Sequence, residues 1–383
     1  MRFLRTISTA RLLAFAVGVA CFAGATAAIA LAATSQGGSK PATKPLAQAV
    51  HDSLAAPSVP GVTARIKFTN HLIDSAALPG ATPLLSGASG RLWASSDGKV
   101  RLELQSTSGD SQIVFDGGRV LVYDASSNTA YRGQIPASHD SGTQQHHGPP
   151  SLAEIQKAIG EAGSYAGLSN ATPTTAAGQS AYSVRITPRH GGEVSSAQLV
   201  WDALRGVPLK VAIYARGNSS PVLALSVQKI SYGSVPASVF AISPPKGAHV
   251  VDVTPPSGRH SAGKEVTGAA AVQRELPFKL SAPSQLAGKS RQDVKLLGSD
   301  AALVTYGEGL DGLAVIERKA DTQSQSAGPL GGGELPKVSI GGSTGQELPT
   351  ALGTVVRFVR GGVDYTVLGS QPPDVVIAAA RAL

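Results

Sequence analysis

The sequence predicts an α+β fold that is mostly antiparallel β, and three observations carry that expectation. Aromatic and charged residues are few while glycine (44) and proline (25) are abundant, which fits short strands and turns better than a helical bundle. Several stretches alternate apolar and polar residues with a period of two. Asp-Gly and Gly-Gly pairs separate such stretches at hairpin spacing.

The chain begins with an export signal. Arg2, Arg5 and Arg11 precede an apolar run from Leu12 to Ala33 that contains no charge. Two outcomes are open. Ala30-Leu31-Ala32 offers a small-x-small cleavage site, whereas the run's 22 residues also suffice to span a bilayer core of ~30 Å as a retained anchor. Either way the remainder is expected outside the cytoplasm, secreted or anchored to the cytoplasmic membrane. The only cysteine, Cys21, lies inside the apolar run with Gly18 three positions before it, a poor setting for lipidation, and no disulfide is available. Of the formal net charge of +8, three units come from the leading arginines. No run of clustered Lys/Arg marks a nucleic-acid surface.

Thr34–Lys44 is Ser/Gly/Pro/Lys-rich and reads as a flexible tether. A short helix follows Pro45, with Leu46, Val50 and Leu54 on one face. Alternation then begins: Ala64, Ile66 and Phe68 face one side, and Val100, Leu102 and Leu104 repeat the pattern after a turn at Asp97-Gly98. The clearest hairpin runs from Ser111 to Asp124, with Asp116-Gly117-Gly118 at its centre and a return at Tyr131-Arg132. Residues 136–150 are polar, hold His139, His146 and His147, and read as a loop. Ser151 with Glu154 three residues on predicts a capped helix start. Strands are expected at 182–187, 198–202, 209–214 and 222–230. The Pro/Gly-rich stretch 251–274 reads as a linker. A second unit over 275–383 has strands near 302–306, 313–318, 354–360 and 364–368, a polar insert at 321–333 and a terminal helix from Pro373.

In the first unit the Asp116-Gly117 hairpin, Trp201-Asp202, Pro208-Leu209-Lys210, Ile230-Ser231-Tyr232-Gly233 and Phe240 with Pro244-Pro245 resemble the LolA/RseB (MucB) family of bacterial envelope proteins. In the second, Leu303–Leu310, Asp364–Gly369 and Pro372-Pro373 resemble the small C-terminal domain of the RseB type. The resemblance covers about residues 45–250 and 275–383. It implies a LolA-like unclosed half-barrel with covering helices over 45–250, a smaller α+β domain over 275–383, and binding of lipid or lipoprotein acyl chains without enzymatic chemistry or cofactor. It further implies a role in envelope-stress sensing, with a membrane-bound anti-sigma factor as partner; restraint of that factor without lipid transport is the alternative. The family's motifs transfer no individual contact residue. The aliphatic interior expected from alternation is Ile66, Phe68, Leu102, Leu104, Ile113, Phe115, Leu121, Tyr123, Leu209 and Val211. A slip of one residue would invert the face that any strand presents.

Other motifs lose on context. Gly307–Gly312 matches G-x-G-x-x-G, but a strand pattern follows where a dinucleotide site needs a helix. Gly341-Gly342-Ser343-Thr344-Gly345 matches a nucleophile elbow, yet Pro349 interrupts any helix and no histidine follows. His139, His146 and His147 have no rigid element to fix metal geometry. Asp116 and Asp124 read as turn makers rather than an acid–base pair.

Overall fold

The computed structural model describes residues 38–73, 85, 87–134, 150–241, 243–253, 266–320 and 335–383. The expected export signal with Cys21, the first tether residues, the three loop histidines, the middle of the 251–274 stretch and the 321–333 insert lie outside the described residues.

Strands β1 (Gly61–Asn70), β2 (Ala88–Ser95), β3 (Val100–Ser106), β4 (Gly109–Asp116), β5 (Arg119–Asp124) and β6 (Thr129–Gln134) form a meander. A second run comprises β7 (Ala166–Leu168), β8 (Thr172–Ala176), β9 (Gln179–Pro188), β10 (Val194–Asp202), β11 (Pro208–Ala215) and β12 (Leu223–Tyr232). Antiparallel pairing of β1 with β12 joins the two runs into one sheet. β13 (His249–Val253) lies parallel to β6 at one end, β7 and β8 flank β9 at the other, and among the described residues the ends do not pair. The result is an unclosed, mostly antiparallel half-barrel. The Asp116 hairpin is as expected: Gly117 and Gly118 both take positive φ (57° and 85°), the conformation a two-residue type I′ turn needs.

Two helices accompany this sheet. α1 (Leu46–Leu54) buries Ala49 and packs Leu46 toward Tyr182 and Trp201. α2 (Leu152–Ala162) starts with the predicted capping box: the Ser151 hydroxyl accepts the Glu154 N–H, and the Glu154 carboxylate accepts the Ser151 N–H at 2.7 Å. The main apolar core of the half-barrel draws Val62, Ile66 and Phe68 from β1, Leu102 and Leu104 from β3, Val120 and Val122 from β5, and Val200 from β10.

The second sheet has the order β14 (Gln285–Leu286), β15 (Lys289–Leu297), β16 (Ala301–Tyr306), β17 (Leu313–Lys319), β21 (Val363–Gly369), β20 (Gly353–Arg360), β19 (Ser343–Thr350), β18 (Lys337–Ile340). Helices α3 (Ala269–Glu275) and α4 (Pro373–Arg381) supply Val272, Val376, Ala379 and Ala380 to its core. Of the 251–274 stretch, the described ends are therefore strand β13 and the start of α3. On the sheet's other face Arg357 donates two bonds to Asp364 (2.8 and 2.5 Å), both side chains being buried.

The sheets meet at the β9–β10 loop and just after β1. Gly192 (φ +91°) has no room for a Cβ, which would stand 2.6 Å from the Ser370 carbonyl oxygen and 2.7 Å from that of Leu310. The Glu193 N–H donates to the Ser370 carbonyl at 2.8 Å, and the Ala351 N–H donates to the Leu72 carbonyl at 2.8 Å.

Glu317 is fully buried in the second core. One carboxylate oxygen accepts the Ser281 N–H at 2.9 Å and the other has no partner. Burial pushes its pKa up to about 7 from 4.5, opposed by the Ser281 hydrogen bond. The Glu317 contribution to stability is therefore fully present below about pH 4.5. It is lost as pH rises to about 7, because the unfolded chain ionises first; the loss is roughly 3 kcal/mol. Urea midpoints of Glu317→Gln and the unsubstituted protein should converge near pH 4 and separate by pH 8, with the variant more stable; a gap that does not depend on pH would refute this. Asp364→Ala, which removes the carboxylate that accepts two bonds from the buried Arg357 guanidinium, should cost about 3–5 kcal/mol in the same assay.

Candidate functional site

A small apolar cavity opens beside the β1–β12 joint. Val62, Ala64 and Ile66 of β1 form one wall and Leu92 and Ala94 of β2 extend it. Leu225, Val227 and Ile230 of β12 form the other. Two sheet irregularities shape these walls. Arg65 pairs with Lys229 but Ile66 pairs with Val227, so the bulge at Gln228 lets Val227 and Ile230 face the same side despite their odd spacing. Similarly Val200 pairs with Lys210 and Trp201 with Pro208, which leaves Leu209 without a cross-strand partner and places it against the cavity.

The rim is the β10–β11 loop. Asp202, at 1% exposure, gathers four donors: the Leu204 and Arg205 N–H groups on one oxygen (2.8 and 2.9 Å), the Tyr232 hydroxyl (2.6 Å) and the Arg205 guanidinium (3.4 Å) on the other. The guanidinium also lies 4.4 Å over the Tyr232 ring. Burial, together with the Asp202 charge, drives the Tyr232 phenol well above its usual range, so it stays a donor. Gly206 (φ +67°) abuts the Ser53 carbonyl at the end of α1, where a Cβ would collide. This network holds Leu204 outward at 66% exposure, and the last residue of α1, Leu54, is 45% exposed. The rim thus brings Arg205 to the apolar cavity, with the exposed Leu204 beside it in the same loop.

The ten residues expected inside divide three ways. Ile66 and Leu209 line the cavity. Phe68, Leu102, Leu104, Ile113 and Phe115 pack in the apolar core on the same side, and Val211 shares that side through its pairing with Leu225. Leu121 and Tyr123 do not: Val120 and Val122 are the core residues of β5, so alternation turns Leu121 and Tyr123 to the opposite face. There the Tyr123 hydroxyl donates to the Asn128 side chain at 3.0 Å. The rim arginine and the β12 residues were missed. Val62 was legible from the β1 alternation; Arg205 was not, because its position depends on the Asp202 turn.

The dismissed motifs have plain structural roles. Gly307–Gly312 leads into strand β17, and Gly341 and Gly342, both at positive φ, make the β18–β19 turn with Ser343 opening a strand. Asp124 accepts from the Ser126 N–H and the hydroxyls of Ser126 and Ser127, as a turn residue does. Among the described residues no group of His, Cys, Asp and Glu is placed to hold a metal ion.

No family model matches the chain, and no curated protein matches it in sequence. Among solved structures it is similar to MucB in complex with MucA(peri) (16% identity, TM-score 0.41, 88% of this chain and 94% of that one). It is likewise similar to MucB alone (14%, TM-score 0.40, 87% and 94%). An uncharacterised conserved protein of Thermus thermophilus aligns at 11% identity and a TM-score of 0.34, over 54% of this chain and 97% of that one. These are likenesses of fold.

Asp202→Ala should remove about 3 kcal/mol of stability, because it frees the Tyr232 hydroxyl and two turn N–H groups at once. Asp202→Asn, which keeps the turn acceptor, should lose less. Urea unfolding of both variants checks the order, and equal losses would contradict it.

Proposed function

We propose that this chain is an extracytoplasmic envelope protein that binds acyl chains of lipids or lipoproteins in its half-barrel, as a sensor rather than an enzyme. In this reading residues 45–250 are the binding unit, 251–274 the connector and 275–383 a second, smaller unit. One observation carries it: an apolar cavity beside the β1–β12 joint whose rim exposes Leu204, held outward by the buried Asp202 turn.

The driving force is hydrophobic transfer at about 0.8 kcal/mol per buried CH₂, so about eight methylenes would supply roughly 6 kcal/mol. Size sets the mechanism. The cavity holds about 70 Å³, well below the ~300 Å³ at which ligand pockets begin. An acyl chain therefore enters only if the β10–β11 loop or α1 moves, and loading is coupled to a change of shape at the rim. That coupling suits a sensor.

The test is extraction of the purified full chain, followed by mass spectrometry. Fatty acyl species should be recovered from the unsubstituted protein and strongly reduced in Ala94→Phe, which fills the cavity from its wall. A repeatedly empty protein would overturn the reading. If a membrane-bound anti-sigma factor co-purified with that empty protein, the function would be reassigned to partner restraint without lipid transport.

A further inference from the structure

A groove of about 590 Å³ opens on the second sheet, away from the apolar cavity. Its charge comes from three segments distant in sequence: Lys279 between α3 and β14, Lys319 at the end of β17, and Arg360 at the end of β20. Register explains their meeting. Lys319 pairs with Val363 and Val363 with Arg360, so the ends of three adjacent strands turn both cations to one face. Two residues further in on that face lie Glu317 and Tyr365. The Lys279 segment crosses the same face, fixed by the Ser281 N–H bond to Glu317.

The cationic groups are poised rather than satisfied. Among the described residues no aspartate or glutamate side chain lines the groove, although Leu383, whose backbone oxygen accepts the Ser281 hydroxyl at 3.1 Å, does. Among the described residues none of the three cations has an ion-pair partner, whereas Lys289 and Arg357 of the same sheet each have one. The Arg360 guanidinium is set by aromatic faces: Phe358 and Tyr365 stack at 4.9 Å, and the guanidinium lies 5.4 and 5.9 Å from their centroids. Three like charges in one groove repel unless an anion joins them. A fixed guanidinium fork with two flexible ammonium groups matches the several oxygens of a phosphate better than a single carboxylate.

We propose that this groove is a phosphate-recognition site that takes a phosphomonoester or phosphodiester group on Lys279, Lys319 and Arg360. It does not depend on the acyl-binding reading. The phosphate could be free or carried by a lipid headgroup, and the two sources separate experimentally. The full chain is titrated with inorganic phosphate by calorimetry. In parallel it is floated with phosphatidylcholine vesicles with and without phosphatidylglycerol. Each assay is repeated on Lys319→Gln/Arg360→Gln, with thermal unfolding as the folding control. Saturable phosphate binding, weakened about tenfold or more in the double variant, supports a site for the free ion. Flotation that needs phosphatidylglycerol and is lost in the variant, without binding of the free ion, assigns the headgroup. Binding in neither assay, or binding the folded variant retains unchanged, overturns the proposal. Should the double variant not fold, Lys279→Gln, which alters an exposed residue outside the strands, decides by the same readouts.

Discussion

The pairing of β1 with β12 is the constraint on which the half-barrel rests. It joins residues far apart in the chain, from Val62 with Tyr232 to Asn70 with Leu223. Each flanking run is built from local hairpins and would be an independent meander without this joint. Both walls of the cavity are its immediate neighbours, β1 and β2 on one side and β11 and β12 on the other. The bulge at Gln228 sits in this same ladder, so one irregularity both bends the sheet and aims the side chains that leave the space unfilled.

Polar groups do different work in the two sheets. Asp202 is buried but fully engaged, and its donors come from its own turn and from β12, so it locks a rim to the joint. Glu317 is buried with one oxygen unpartnered, which makes it a cost that the second core carries at neutral pH rather than a lock. Arg357 and Asp364 satisfy each other across adjacent strands. The half-barrel is thus organised by an acid that holds its surroundings, the smaller sheet by apolar packing that tolerates one poorly served acid.

Much of the architecture was legible in the sequence because period-two patterning and glycine turns are local signals. The Asp116 hairpin, the Ser151 capping box and the Pro373 helix all rest on neighbours within a few residues. The site was legible only in part. Ile66 follows from simple alternation, but the odd step from Val227 to Ile230 and the placement of Leu209 are products of bulges, which leave no mark in the hydrophobic pattern. On β5 both faces are apolar, Val120 and Val122 against Leu121 and Tyr123, so alternation could not choose between them. The groove of Lys279, Lys319 and Arg360 was invisible for a different reason: its charges are single residues widely separated in the chain, joined only by register.

The parallel strand β13 has an implication for the order in which this protein can be assembled. If the chain is delivered across a membrane from its N-terminus, β6 emerges long before the strand that shields its outer edge. During that interval the meander would present unpaired amide and carbonyl groups to whatever other extended chains are near. The clasp by β13 therefore comes late in the assembly of the half-barrel though ahead of the second sheet, and the meander is most exposed to wrong partners in the interval before β13 emerges.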